Sequence, residues 1–120
     1  MFEAKIDPVR NSLTIRYWRH VAPDEVKRFT EQLPSLLLDL RPGFTMLTDM
    51  SGLDSMDIEC VPHIKTVMDL CNEKKVATIV RVIPDAHKDI GLNILSLFHY
   101  DRGVHFVTCR TMEEGLKFLE

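Results

Sequence analysis

The sequence predicts an α/β domain in which one mixed β-sheet, opened by a hairpin, is packed by about four helices. Two short alternating segments stand at the start of the chain, later apolar runs are short and bounded by turn residues, and amphipathic stretches of helical spacing separate them. With 120 residues and a mass of 13.9 kDa, the chain has the size of a single domain spanning residues 1–120. Apolar residues make up 45% and charged residues 28%, which fits a folded globular domain and neither a disordered nor a membrane chain.

Residues 2–6 alternate apolar and polar, a turn follows at Asp7, Pro8 and Asn11, and Leu13, Ile15 and Tyr17 alternate again. This reads as a strand, a turn and a second strand. Pro23 followed by Asp24 and Glu25 marks a helix start, because proline fits the first turn and acids favour the positive end of the helix dipole. Val26, Phe29, Leu33, Leu36, Leu37 and Leu40 recur at helical spacing, so the helix is expected to reach about residue 40. Pro34 removes a donor inside it and predicts a kink or local break near Thr30.

Residues 44–50, FTMLTDM, are expected as a covered strand ending at Asp49. From about Asp57 a second helix carries Val61, Ile64, Met68 and Cys71 on one stripe, with Pro62 near enough to its start to do little harm. Residues 76–83 are nearly continuously β-branched, as in a parallel strand covered on both faces, with Arg81 as the interruption. Pro84 and Asp85 lead into a third helix carrying Ile90, Ile94, Leu95, Leu97 and Phe98 and weakened at Gly91. Val104, Phe106 and Val107 mark the last strand. Thr111 with Glu114 has capping-box spacing ahead of a final helix bearing Leu116 and Leu119.

A net charge of −3 supplies no electrostatic drive toward nucleic acid or anionic lipid. Glu3, Lys5 and Asp7 break the apolar stretch that a secretory signal needs, and no apolar run approaches the roughly 20 residues of a membrane span. A cytoplasmic location is expected. Cys60, Cys71 and Cys109 are odd in number and widely spaced, which suits small buried thiols better than a disulfide framework.

The hairpin, the strand ending LTDMSGL, the helix opening at Asp57, the strand VATIVRVIPD and the terminal TMEEGLKFL segment together resemble the STAS fold over the whole chain. The likeness is to the bacterial branch of anti-sigma-factor-antagonist-like (STAS/SEC14-like) proteins. It implies a non-enzymatic regulatory or protein-interaction module whose partner-facing surface is the loop after the third strand and the start of the second helix. Helix N-termini and the carboxyl ends of parallel strands favour such a location. Ser51, Asp54, Ser55, Asp57 and Glu59 are the expected partner-binding residues. The implied partner is a protein, such as a kinase-like or anti-sigma regulator, with no nucleic acid, membrane insertion or cofactor; a homodimer is a further option.

The Asp-Ser-Ser-Gly phrase typical of these antagonists is absent. Counted from Asp49, its places fall on Asp57, Ile58, Glu59 and Cys60, so Glu59 stands where the phosphorylated serine would be. A carboxylate carries one charge against about −1.5 to −2 for phosphoserine and lacks its three acceptor oxygens, so any mimicry is partial. Ser51 and Ser55 are the alternative sites for such a modification; the plainer readings are a favourable acid in a first helical turn for Glu59 and turn or cap residues for Ser51 and Ser55.

Arg81 is the discordant residue, since a guanidinium in an apolar strand needs a partner or water. Asp49, or one of the acids after it, on a neighbouring strand would make a structural ion pair with it, and an anionic ligand in the same crevice or exposure to solvent is the alternative. Asp49, Asp54 and Asp57 match no calcium loop, and the acidic pair and lysine of a receiver-type phosphoacceptor are missing. His20, His63, His87, His99 and His105 are scattered, and Cys60 with His63 supplies only two ligands, so no metal site is expected. No serine or cysteine stands beside an evident base, and no catalytic residue is assigned.

Met46, Met50, Met56, Met68 and Met112, with Leu92, Leu95, Phe98 and Tyr100, read first as core. The alternative function, binding or sensing a small apolar or lipid-like ligand, would use them as a pocket wall. Tyr17 and Trp18, followed by Arg19 and His20, read as a contact patch or dimer surface.

Overall fold

The alternation of the first twenty residues produces the expected hairpin. In the computed structural model, which describes residues 1–83 and 103–119, β1 (Phe2–Asp7) pairs antiparallel with β2 (Ser12–Val21). Asn11 closes the turn at φ 51°, a conformation that its short polar side chain tolerates. Its Oδ1 accepts from the Arg41 N–H at 2.7 Å and its Nδ2 donates to the Arg41 carbonyl at 3.1 Å, tying the hairpin to the loop ahead of the third strand.

The chain continues through α1 (Pro23–Leu37), β3 (Thr45–Met56), a 3₁₀ turn (Ile58–Cys60), α2 (Val61–Glu73), β4 (Thr78–Val82), β5 (His105–Cys109), α3 (Met112–Leu116) and a second 3₁₀ turn (Lys117–Leu119). The five strands form one sheet in the order β1-β2-β3-β4-β5, parallel at every junction after the hairpin. The expected helix after Pro84, with its apolar residues from Ile90 to Phe98, lies outside the described residues. Three α-helices are present among the described ones, against about four expected over the whole chain.

α1 opens at Pro23 as predicted. The Glu25 carboxylate accepts from the Ala22 N–H at 2.9 Å, so one otherwise orphaned donor is satisfied. The helix is continuous through Pro34, and the expected local break does not occur. Val26, Phe29, Leu33 and Leu37 stay on one buried stripe, and that tertiary packing outweighs the loss of a single backbone bond. The helix ends at Leu37, and the N–H groups of Leu38, Asp39 and Leu40 bond three residues back in a tightened final turn.

Strand alternation divides the core into two layers. On one face Met46 and Met50 of β3 and Ile79 of β4 pack with the buried stripes of α1 and α2, including Ile64, Val67, Met68 and Cys71. On the other face Leu47, Val80 and Val82 pack with Cys109 and Leu119, and Met112 covers them in part. Thr111 caps α3 by accepting from the Glu114 N–H at 3.2 Å. Gly115, and not Leu116, meets the sheet: Leu116 is exposed, whereas a Cβ at 115 would lie 3.0 Å from Val82 Cγ2 and 3.1 Å from Leu47 Cδ1.

The largest departure from expectation is β3. Instead of ending at Asp49 it runs to Met56, pairing with β2 through Trp18↔Gly52, Arg19↔Leu53, His20↔Ser55 and Val21↔Met56. Register shifts fall between Arg16 and Trp18 and between Arg19 and His20, each accommodating one extra residue on β3. Gly52 allows the first of these close approaches, because a Cβ there would lie 3.1 Å from Trp18 Cβ. Glycine, serine and aspartate in this stretch therefore mark bulges within a strand rather than a turn that ends it.

The tight seat of α3 is testable. Gly115→Leu forces a side chain into contacts that already hold Val82 and Leu47, and should destabilise the fold by about 1–3 kcal/mol. Urea unfolding should show a lower midpoint with an unchanged slope.

Candidate functional site

The bulged ends of β2 and β3 bring together residues 35 to 37 positions apart in sequence. Arg19 takes φ 56°, and His20 then lies beside Ser55 in the parallel register. His20 Nδ1 is 2.7 Å from Ser55 Oγ, and His20 Nε2 is 3.1 Å from Asp57 Oδ2. One imidazole thus joins the end of β2, the end of β3 and the turn that leads to α2. The Met1 amino group bonds the His20 carbonyl and reaches Glu25 Oε2 at 3.3 Å, which holds the backbone of this histidine from behind.

Serine, histidine and aspartate in contact suggest acyl-transfer chemistry, but the ring is used the other way round: Ser55 meets Nδ1 and Asp57 meets Nε2, the reverse of a hydrolytic triad. All three groups also lie open to solvent or half-exposed. The arrangement works as a clasp that orients exposed groups. Just beyond it the 3₁₀ turn turns Ile58 outward with 79% of its surface exposed, next to exposed Glu59. Cys60 closes the turn from inside, fully buried with Sγ 3.6 Å from the Val21 carbonyl, and Asp57 N–H donates to the same carbonyl at 3.2 Å.

Of the expected partner-binding residues, Ser55, Asp57 and Glu59 gather at the carboxyl end of β3. Asp54 is exposed on the second bulge, and Ser51 is exposed on the first. Ser51 turns its hydroxyl and its N–H to Asp49 Oδ1, at 2.6 and 2.9 Å, so it stabilises the bulge from within. His20 and Ile58 complete the surface. The sequence points to His20 only in a contact patch with Tyr17 and Trp18 and among scattered histidines, and to Ile58 only as a place in an absent motif.

The expected approach of Arg81 to Asp49 is not formed. Arg81 pairs with Thr48 across β3 and β4, one residue out of step with Asp49, so the two side chains take opposite faces of the sheet. Asp49 instead meets Arg16, with Nε 3.9 Å from Oδ2, and Arg16 also lies 4.7 Å over the Trp18 ring. Arg81 is 4% exposed on the α1–α2 face, its guanidinium 5.2 Å from the centre of the Phe106 ring. The Tyr17–Trp18 patch also divides: Tyr17 is buried edge-on to Phe2 at 5.1 Å, while Trp18 faces the other way.

Met46, Met50 and Met68 are buried core residues, whereas Leu92, Leu95, Phe98 and Tyr100 lie outside the described residues. A cavity of about 330 Å³ between β1 and α1 has charged as well as apolar walls, with Glu3, Glu25 and Arg28 beside Phe2, Phe29 and Leu36. Among the described residues no group of three or more His, Cys, Asp or Glu side chains converges as a metal site, and no helix is long and apolar enough to cross a membrane.

No protein-family model matches the chain, and no curated protein matches it in sequence. Solved structures do. An uncharacterised protein of the DUF3478 family with a SpoIIAA-like fold, from Shewanella loihica, superposes with a TM-score of 0.75 at 13% identity, covering 99% of this chain and 94% of that one. The anti-sigma factor antagonist SpoIIAA in its unphosphorylated form gives 0.68 at 14% identity, covering 99% and 97%. An anti-sigma factor antagonist from Mycobacterium paratuberculosis gives 0.59 at 9% identity, covering 99% and 94%. The chain therefore has the SpoIIAA-like fold that the STAS resemblance implied.

Two measurements probe this region and its supporting core. Asp49→Ala leaves the Ser51 donors and Arg16 without their acceptor and should cost about 2–3 kcal/mol in urea unfolding, whereas Asp49→Asn keeps an acceptor oxygen and should cost less than half as much. Burial pushes the Cys71 thiol from 9.0 up to about 12, and burial likewise raises Cys60 and Cys109. A thiol whose value is raised in the folded state contributes stability fully below pH 9.0, and that contribution is lost as the pH climbs toward about 12. Unfolding midpoints should fall across this window, and a thiol-specific disulfide reagent at neutral pH should react with Cys71 only after denaturation.

Proposed function

We propose that this chain is a non-enzymatic regulatory protein-interaction module, similar in action to anti-sigma-factor antagonists, that docks its partner on the surface formed by His20, Ser55, Asp57, Ile58 and Glu59. The observation that carries this reading is the exposed Ile58 standing among fixed polar groups at the carboxyl end of β3. An isolated apolar side chain ringed by polar partners is the form of a small hot spot, in which the apolar group supplies affinity and the rim supplies orientation. Two of the solved structures with this fold are anti-sigma factor antagonists, which supports a protein as the partner class.

By the count that the STAS resemblance supplies, Glu59 falls at the place of the phosphorylated serine, and a glutamate cannot accept phosphate. The surface therefore carries a permanent single negative charge there, and its docking is not switched by modification at that position. Asp54 and Ser51 contribute at the margin, since both are exposed on the adjoining bulges.

Native mass spectrometry of the protein drawn from its own cell extract should show a stoichiometric second chain and no phosphate at residue 59. Against that purified partner, Ile58→Asp and Asp57→Lys should each weaken binding at least about tenfold, roughly 1.4 kcal/mol or more, with unchanged thermal unfolding. A partner bound equally well by both variants overturns this assignment of the surface. So does a stoichiometric small apolar molecule in place of a protein.

A further inference from the structure

Among the described residues β1 is an edge strand of the sheet, and no described strand lies on its outer side. The Trp18 N–H donates to the Met1 carbonyl at 3.1 Å, and the register runs from Phe2↔Tyr17 to Asp7↔Ser12. Hydrogen-bonded pairs alternate along an antiparallel ladder, so Glu3, Lys5 and Asp7 turn their N–H and C=O groups toward β2. The corresponding groups of Phe2, Ala4 and Ile6 therefore point to the outer edge, where no described strand meets them.

We propose that the occupant of this edge is a second copy of the same chain, joined by antiparallel β1–β1 pairing about a two-fold axis at Ala4. Three features fit this register. Ala4 has its backbone groups on the open side, so the two central alanines can exchange a reciprocal pair of hydrogen bonds. Glu3 then falls opposite Lys5 of the second copy, and Lys5 opposite its Glu3, at the closer, non-hydrogen-bonded positions where cross-strand charges interact best. Phe2 falls opposite Ile6 of the second copy, on the face where both residues already pack toward α1.

The charges need no new partners to reach this state. Lys5 Nζ already lies 3.1 Å from Glu3 Oε1 of its own strand, with Lys5 largely open to solvent and Glu3 partly so. In the dimer the same two charges pair across the axis. A lysine on an edge strand usually repels incoming strands, but here the neighbouring glutamate makes the edge complementary to itself. The apolar Phe2–Ile6 contacts would form at the mouth of the cavity between β1 and α1, whose walls include Phe2, Ala4, Phe29 and Leu36. Two six-residue strands make a small interface, so the dissociation constant should be on the order of 10–100 μM.

This edge is separate from the Ile58 surface, and the failure of either assignment leaves the other standing. Sedimentation velocity of the full chain from about 5 μM to about 500 μM should show a reversible monomer–dimer equilibrium that weakens with salt. Glu3→Lys and Lys5→Glu each place like charges across the axis twice and should weaken the dimer at least about tenfold, while the double exchange should restore it to within about threefold. Ala4→Pro removes an outward-facing N–H without touching the β2 ladder, and should give a folded monomer by circular dichroism and thermal unfolding. A wild-type chain that stays monomeric throughout the range overturns the proposal. So does a dimer indifferent to Ala4→Pro, or a double charge exchange that stays as weak as the single ones.

Discussion

Everything at the carboxyl end of β3 depends on fitting its twelve residues alongside the ten of β2. The surplus is absorbed by two bulges, and each resets which side chains face the core. Met50 points toward the helices. The first bulge then makes Leu53, rather than Gly52, the next buried residue, and the second returns Met56 to the same layer. Asp49 holds the first bulge through Ser51, and the missing side chain of Gly52 lets Trp18 approach. Without both bulges, Ser55 would not stand beside His20, and the turn at Asp57 would not begin where α2 needs it.

The same alternation explains how two buried charges coexist in one sheet. A pair formed by Arg81 and Asp49 would have required both on one face, yet their register is offset by one residue. Each is supported on its own side, Asp49 by Ser51 and Arg16, and Arg81 by stacking over Phe106. Asp49 also has the exposed end of the sheet nearby: Arg16 is about half open to solvent, so the cost of desolvating that pair is smaller than for two fully buried ions.

The order of elements was legible because it is written in local periodicities: alternation in the hairpin, the α1 stripe, and the β-branched run of β4. The reach of β3 was not. Met50, Leu53 and Met56 are spaced by three, which fits no strand rule, and the intervening Ser, Gly and Asp are the chemistry of turns. Only pairing with β2, more than thirty residues away, shows that these residues serve bulges. The same distance hid the clasp: Ser55 and Asp57 could be singled out from their neighbourhood and from the STAS resemblance, but His20 joins them through register alone. Tyr17 and Trp18 are adjacent in sequence and still form no single aromatic patch, because neighbours on a strand face opposite ways.

Strand direction then relates the two surfaces. β1 runs antiparallel to β2, and in a pair of chains joined through β1 the two β1 strands run antiparallel to each other; the two β2 strands must therefore also be antiparallel. The carboxyl ends of β2 and β3, with His20, Ser55 and Ile58, come to lie at opposite ends of a continuous ten-stranded sheet. Neither of the two proposed docking surfaces is covered by the pairing, and neither can reach across to the other. A dimer of this kind holds two partner chains apart instead of bringing them together. Its gain in apparent affinity appears only toward a partner that is itself double and spaced to match, because effective concentration rises only where geometry permits both contacts at once.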